Sequence, residues 1–425
     1  MSLETIHIEK LVHGGQGLGK LESGKRAFVW NALPGETVEA NIIRKKSGYV
    51  DAIAEEITIA SPDRIEPLEP EAFMSTSPWQ IMNTDAEAKA KQAILEELFT
   101  HEKLDISWDS FVQGEQRFGY RNKMEYNFWW DNETNKVSLA LHRRGSHMKL
   151  PMTSSALASG AINDVGKSLV EFINSCDVQA RSLKSAVLRS TADGKTAVVL
   201  YIVDKEVAQL EWSRVGADSI TVYYSNPKSP ASVPTELLVH LGLEYLTDNI
   251  AGHEYRYSPE GFFQINLPVY SQAIEAMARW VHAGSKVVDM YAGVGSIGMS
   301  LPHASLISVE LDPASSAQAN LNAGENTEVI LSESEKALGY IATDAVVILD
   351  PPRAGLHKKV VERLLEVTPI AVVYLSCNPA TQARDVSLLL AQGQYKVVCA
   401  RGYNFFPATP HIESLLVLER ITKSV

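Results

Sequence analysis

The sequence predicts an α/β protein: a parallel sheet wrapped by helices at its C-terminal end, a small β-barrel at its front, and an α+β region between them. Three observations carry this. From Ser258 to residue 421, strand and helix signals alternate, as a helix-covered parallel sheet requires. At the head of that region, the apolar run in KVVDMYAGVGSIG (Lys286–Gly298) ends in Asp289 and passes into a glycine-rich turn. Within the first 60 residues, short β-rich runs are separated by glycine and proline turns.

The barrel runs from residue 1 to 60. Its predicted strands are Thr5–Leu11, Arg26–Trp30, Thr37–Ile43 and Tyr49–Ile57, with turns at Gly14–Gly17, Ser23-Gly24, Pro34-Gly35 and Ser47-Gly48. Arg44, Lys45 and Lys46 in a loop suit an oligonucleotide-binding barrel. GGQGLGK (Gly14–Lys20) and ALPGETV (Ala32–Val38) resemble the TRAM domain, an RNA-binding barrel.

Residues 61–83 are proline-rich and read as a linker. An amphipathic helix follows from Asp85 to Phe99, with Ala86, Ala90, Ala93, Ile94 and Leu98 near helical spacing. Thr84 is its expected cap, with Glu87 three residues on. Between 117 and about 260, strands are predicted at Lys123–Trp130, Val137–His142, Ala186–Ser190, Thr196–Val203 and Ile220–Tyr224, with one helix at Asn163–Ser175. Tyr120-Arg121-Asn122-Lys123 heads a strand carrying Tyr126, Phe128, Trp129 and Trp130. Basic residues beside aromatics suit stacking on unpaired bases, while ordinary sheet core explains the same aromatics. Residues 117–150 hold seven basic side chains against three acidic ones.

Beyond Ser258, strands are expected near 286–290, 306–310, 327–331, 345–350, 370–376, 394–400 and 412–419. Helices are expected near 297–301, 313–323, 357–366 and 380–391, after a helix carrying Ala273, Ile274 and Met277 on one face. Gly293, Gly295 and Gly298 let backbone approach a ligand. Glu310 closes the next strand 21 positions after Asp289, where a carboxylate can hold ribose hydroxyls. Nicotinamide, flavin and S-adenosylmethionine (SAM) sites all use such a turn. Two further loops follow strands, Asp350-Pro351-Pro352-Arg353 and Ser376-Cys377-Asn378-Pro379. Ligands in these folds sit at the carboxyl ends of strands. Cys377, delivered by an apolar run into a polar turn, is a candidate nucleophile. Cys176 and Cys399 have no such setting and read as structural. Glu413, entering the final strand, is a candidate base if that strand lies beside the one carrying Cys377.

Composition narrows the classes. The net charge of −12 argues against indiscriminate nucleic-acid binding, though not against a local basic face. No run of about 18 apolar residues predicts a membrane span. The N-terminus lacks a signal segment, and three cysteines build neither a disulfide framework nor a zinc site. A cytoplasmic location and a monomeric chain are the default expectations.

DMYAGVG, VELD, DPPR, SCNP and HIES, in that order behind a TRAM-like barrel, resemble the RNA uracil-C5 methyltransferase family, which forms 5-methyluridine in 23S ribosomal RNA or transfer RNA. The resemblance implies a Rossmann-like SAM methyltransferase domain, with Cys377 as nucleophile and Glu413 as base. It implies Gln264, Tyr291, Glu310 and Asp350 as SAM ligands. It also implies that 84–116 joins 258–425 in the methyltransferase domain, leaving 61–83 and 117–257 as a central RNA-binding domain. Many members bind a 4Fe–4S cluster through cysteines. Here the matching positions are Glu69, Ser75, Pro78 and Leu150, which offer no thiolate, so no cluster is expected. The TRAM-like barrel favours 23S ribosomal RNA as substrate, with transfer RNA as the alternative. Arg353 is expected to help ionise Cys377 or to hold an enolate oxygen. Readings of another class are a nicotinamide-dependent oxidoreductase and a non-catalytic RNA-binding protein.

Overall fold

A computed structural model of the chain describes residues 3–146, 148–229 and 231–422. The chain forms two compact units, residues 1–117 with 350–425, and residues 118–349.

In the first unit, strands Glu4–Leu11, Gly17–Lys20, Arg26–Trp30, Thr37–Lys45 and Tyr49–Ile59 close into a barrel. Alternate side chains point inward: Ile6 and Ile8, Ala27 and Val29, Val38 and Ala40, Val50 and Ala52. The predicted turn ends at Gly17, with no strand expected at Gly17–Lys20. The segment is a strand because both neighbours pair with it along its length, which overrides the weak strand propensity of glycine.

Residues 61–83 are not a linker. Trp79, Ile81 and Met82 are buried with Leu11, Leu33 and Ile412. Arg64 makes a bidentate pair with the buried Glu36, at 2.6 and 2.8 Å. The prolines that suggested a linker flank a short helix, Phe73–Thr76.

The next helix, Thr84–His101, starts one residue before its expected first position. Asn83, not Thr84, caps it, accepting from the Ala86 amide at 2.8 Å. Glu87 does not complete a capping box. It turns inward with Lys91, and both are fully buried, 2.9 Å apart. Glu87 also accepts from the Asn404 side chain at 3.0 Å and from the Ala408 amide. Lys91 donates to Asn404 Oδ1 at 2.7 Å and to the Phe406 carbonyl at 3.1 Å. A helix that read as merely amphipathic thus drives a saturated ion pair into the loop between the chain's last two strands. Those strands, Tyr395–Tyr403 and Glu413–Arg420, run antiparallel to each other, and Glu413–Arg420 runs antiparallel to Ala371–Ser376. The expectation of a wholly parallel sheet therefore fails here, because the last connection is a short loop rather than a helical crossover. Helices Lys358–Val367 and Pro379–Leu390 belong to the same unit.

In the second unit, Thr327–Leu331, Ser305–Glu310, Lys286–Met290 and Ala345–Leu349 pair in parallel in that order. The expected helix near 297–301 is a single 3-10 turn, Gly298–Ser300. A seven-stranded sheet occupies the central region. Helix Gly160–Ser175, capped by Ser159, covers one of its faces. Tyr126 and Phe128 lie in that core, so the stacking reading fails for them. Trp129 faces the other way and is 38% exposed. No helix among the described residues is long and apolar enough to cross a membrane.

Removing one charge of the Glu87–Lys91 pair strands the other in the core. Lys91→Met should lower stability by about 3–5 kcal/mol, read by urea denaturation, with the double variant Glu87→Gln/Lys91→Met losing less than Lys91→Met alone.

Candidate active site

The thiol loop and the final strand meet by register. Ser376 pairs with Ser414 across antiparallel strands, so Cys377 and Glu413 fall on the next rung. Helix Pro379–Leu390 staples the two strands. Gln382 donates to the Tyr374 carbonyl at 2.9 Å and the Ser414 carbonyl at 3.1 Å, and accepts from Ser414 Oγ at 2.5 Å. The same helix fixes the loop after Asp350. Asp385 accepts from the Leu356 amide at 2.8 Å and from Tyr374 Oη at 2.9 Å, and Arg384 donates to the Ala354 carbonyl at 3.1 Å. Thr381 and Asn378 both donate to the Arg353 carbonyl, at 3.3 and 2.8 Å. Asp350, Arg353, Cys377 and Glu413 are thereby gathered in one place.

The electrostatics of this cluster reverse one expectation. Burial, then the Glu413 and Asp350 charges, push the Cys377 thiol up to about 11, with Arg353 opposing. Burial alone pushes the Asp350 carboxyl up to about 7. Burial, then Asp350, raise Glu413 well above the carboxylate range, again with Arg353 opposing. One guanidinium does not outweigh two carboxyls and lost hydration, so the thiol rests protonated. The cluster holds a nucleophile beside two carboxylates that are strong bases once ionised.

The glycine-rich turn is organised by Glu310. Its Oε2 accepts from the Gly293 amide and its Oε1 from the Asp312 amide, both at 2.7 Å. Asp289 accepts from the Gly298 amide at 2.9 Å and closes the turn from inside. Tyr291 takes a left-handed conformation, φ 67°. The next left-handed residue, Gly293, has nothing within 4 Å of where a Cβ would stand. A carboxylate with spare lone pairs beside an open backbone cradle fits the ribose and amino-acid ends of SAM.

Gln264 lies on a segment hung from the central sheet. Asn122 donates to the Gln264 carbonyl at 2.9 Å, Lys123 to the Glu260 and Gly261 carbonyls at 3.1 Å, and Arg189 to Gly261 at 2.6 Å. Burial and the nearby Arg189 push Lys123 down to about 8. Asn122 and Lys123 therefore serve this segment and not a base-stacking surface. These two residues, which read as part of a nucleic-acid-recognition run, are structural because their side chains find backbone carbonyls within reach. No group of three or more His, Cys, Asp or Glu among the described residues is arranged to hold a metal ion.

Sequence reasoning missed the Glu87–Lys91 pair: Glu87 read as the partner of a helix cap, and Lys91 carried no signal. Asn378 was quoted within its motif without a role.

Residues 337–421 match the model of the tRNA (uracil-5-)-methyltransferase family, and residues 2–54 match the TRAM domain. A Listeria monocytogenes protein described as an uncharacterized RNA methyltransferase is 30% identical, over 97% of this chain and 96% of its own length. A similarly described Lactobacillus johnsonii protein is 29% identical over 98% of both. The crystal structure of Pyrococcus abyssi tRNA (uracil-54, C5)-methyltransferase in complex with S-adenosyl-L-homocysteine superimposes with a TM-score of 0.78. It covers 97% of this chain and 100% of its own at 22% identity, so the fold is shared throughout.

The raised Asp350 carboxyl makes a stability prediction with a definite sign. Its folded value, about 7, lies above the ordinary 3.8, so the native state is penalised as pH rises and the carboxyl ionises. Asp350→Asn should raise the melting temperature more at pH 8 than at pH 5, measured by calorimetry at both.

Proposed function

Because the chain belongs to the RNA (uracil-5-)methyltransferase family, with a TRAM domain at its front and SAM as methyl donor, we propose that it forms 5-methyluridine by covalent catalysis through Cys377 and Glu413. The observation that carries this reading is the strand register that sets Cys377 and Glu413 on adjoining positions beside Asp350 and Arg353.

The C5 carbon of uracil is a poor nucleophile. Bond formation between Cys377 Sγ and C6 pushes the ring electrons towards C4–O4, and C5 becomes carbanion-like. The thiol's proton passes to the Asp350 carboxylate, whose carboxyl, pushed up to about 7, is substantially ionised near neutral pH, which leaves Glu413 for the later step. Arg353 is placed to hold the enolate charge. SAM supplies an electrophilic methyl group for C5. Glu310, Tyr291, Gln264 and Asp350 are the side chains we assign to holding it; orienting two reactants in this way can contribute roughly 7–11 kcal/mol. After transfer, C5 carries a methyl and a hydrogen. Glu413 removes that hydrogen, and the ring electrons expel Cys377. The raised affinity of Glu413 for protons suits it to that second task.

The target base must leave its stack, at a cost of roughly a few kcal/mol, less in an unpaired loop. We assign residues 84–116 to the methyltransferase domain with 258–425. The Asp109 amide, 2.9 Å from the Ala400 carbonyl, and the Val112 amide, 2.8 Å from Gly402, support this. Of the RNA classes, 23S ribosomal RNA is our first reading, on the strength of the TRAM barrel. The Pyrococcus abyssi structure, that of a transfer RNA enzyme, favours the second, transfer RNA.

Methyl transfer from labelled SAM to RNA tests the reading. Cys377→Ala should abolish incorporation and leave SAM affinity within about twofold; loss of SAM binding by a folded variant would count against the assignment. Glu413→Gln should accumulate an RNA adduct that survives a denaturing gel, because release is slowed while attack is not.

A further inference from the structure

Three of the pieces assigned to SAM lie apart in the sequence: the segment that carries Gln264, the glycine-rich turn after Tyr291, and Glu310 at the end of its strand. One helix touches all three. Pro313–Asn322 begins just beyond Glu310 and is capped by Asp312, whose carboxylate accepts from the Ser315 amide at 2.8 Å. The amide of the same Asp312 donates to Glu310 Oε1 at 2.7 Å. Glu310 is thereby tied to the head of the helix.

Gln318 and Asn322 are neighbours on one face of that helix, a single turn apart. Gln318 is buried and bonds Ser258 in both directions. Its Oε1 accepts from the Ser258 amide at 3.1 Å, and its Nε2 donates to Ser258 Oγ at 2.9 Å. Ser258 Oγ also accepts from the Gly261 amide at 3.2 Å, within the segment that leads to Gln264. Asn322 bonds Arg256 in the same two-way manner, accepting from its amide at 2.9 Å and donating to its carbonyl at 3.0 Å. The same Asn322 Nδ2 donates to the Val294 carbonyl at 3.2 Å. Val294 stands between Gly293 and Gly295, whose φ angles are 59° and 85°. Glycine-flanked peptides rotate at little steric cost, and the Asn322 bond opposes that rotation. Asn320, by contrast, donates back into its own helix, to the Ser316 carbonyl at 2.9 Å.

We propose that Gln318 and Asn322 are positioning residues for the methyl donor: they hold the Gln264 segment and the glycine-rich turn in register with Glu310, so that SAM meets a pocket already formed. A ligand that must order its own site loses part of its binding energy to that ordering. Pre-formation therefore appears in cofactor affinity and not in the rate of the step that follows. The inference rests on the assignment of Gln264, Tyr291 and Glu310 to SAM.

The test uses the full-length protein, with SAM binding read by isothermal titration calorimetry and methyl transfer read in single turnovers on RNA. Asn322→Ala and Gln318→Ala should each weaken SAM binding about tenfold, the loss of hydrogen bonds felt at the pocket. At saturating SAM the single-turnover rate should stay within about twofold of wild type, so that KM for SAM rises while kcat holds. Asn320→Ala, on the same helix, should change neither. Gln318→Ala combined with Ser258→Ala should lose less than the two losses added, because both remove one contact. Where an alanine variant does not fold, judged by circular dichroism, Asn322→Asp carries the measurement; it keeps the acceptor for the Arg256 amide and loses the donor to Val294. Unaltered SAM affinity in the folded variants overturns the proposal. So does a saturated rate that falls as far as the affinity, or an Asn320→Ala variant that weakens SAM equally, since either makes the effect one of general stability. A wild type that binds no SAM overturns the functional reading, and the proposal with it.

Discussion

The Glu87–Lys91 ion pair is the constraint on which the candidate active site depends. Two opposite charges with no solvent access are tolerable only when every remaining hydrogen-bonding position is filled. Here the filling comes from one loop, through Asn404, Phe406 and Ala408. Arg117 also approaches Glu87, at 3.7 Å, and donates to the Trp79 and Met82 carbonyls. The loop cannot leave without exposing both charges to an apolar interior. It is followed at once by Pro410 and Glu413. The position of the carboxylate is thus set from behind by a helix more than 300 residues earlier in the chain. The barrel uses the same anchor, since Trp79, whose amide donates to the Ala408 carbonyl at 3.1 Å, also grips the barrel turn through Gly15.

A second theme is the use of raised proton affinities. Cys377, Asp350 and Glu413 are each shifted towards their protonated forms by lost hydration, Cys377 also by the Glu413 and Asp350 charges and Glu413 also by the Asp350 charge. Such a cluster costs stability. It keeps the thiol quiet in the free protein and, on the proposed mechanism, concentrates basicity where two protons are to be taken in succession, the thiol's and the one on C5. Arg353 is the only opposing charge among these four groups, and its backbone is fixed by Asn378 and Thr381.

Much of this was legible in the sequence, for physical reasons. Strands such as Lys286–Met290 and Ala345–Leu349 are apolar runs bounded by glycine, proline or charge, and the structure places them where periodicity does. Glu310 was legible because its spacing from Asp289 follows from one strand–turn–strand unit. Cys377 and Glu413 stood out from their settings, and the resemblance to a family named their roles. The failures share a cause. Glu87 read as a capping partner and Lys91 went unremarked because helical spacing reports which face is apolar, not which charges a distant loop will saturate. Asn122 and Lys123 look like nucleic-acid ligands because sequence does not show the backbone carbonyls of residues 260–264 waiting for them. The proline-rich stretch 61–83 looked extended, but Arg64 and Trp79 had tertiary partners in Glu36 and Gly15. The antiparallel turn of the last strands was hidden by uniform apolar patterning, which is blind to strand direction.

The central claim is that one sulfur attacks C6 of the target uracil within reach of one carboxylate. Mass spectrometry of protein digested after reaction with SAM and a 5-fluorouridine transcript addresses it most directly, because fluorine at C5 blocks the final proton removal and preserves the bond. The account predicts a nucleotide-bearing, methylated peptide containing Cys377, absent from digests of Cys377→Ser. An adduct on Cys176 or Cys399, or robust methylation of uridine with no adduct on any cysteine, would contradict it.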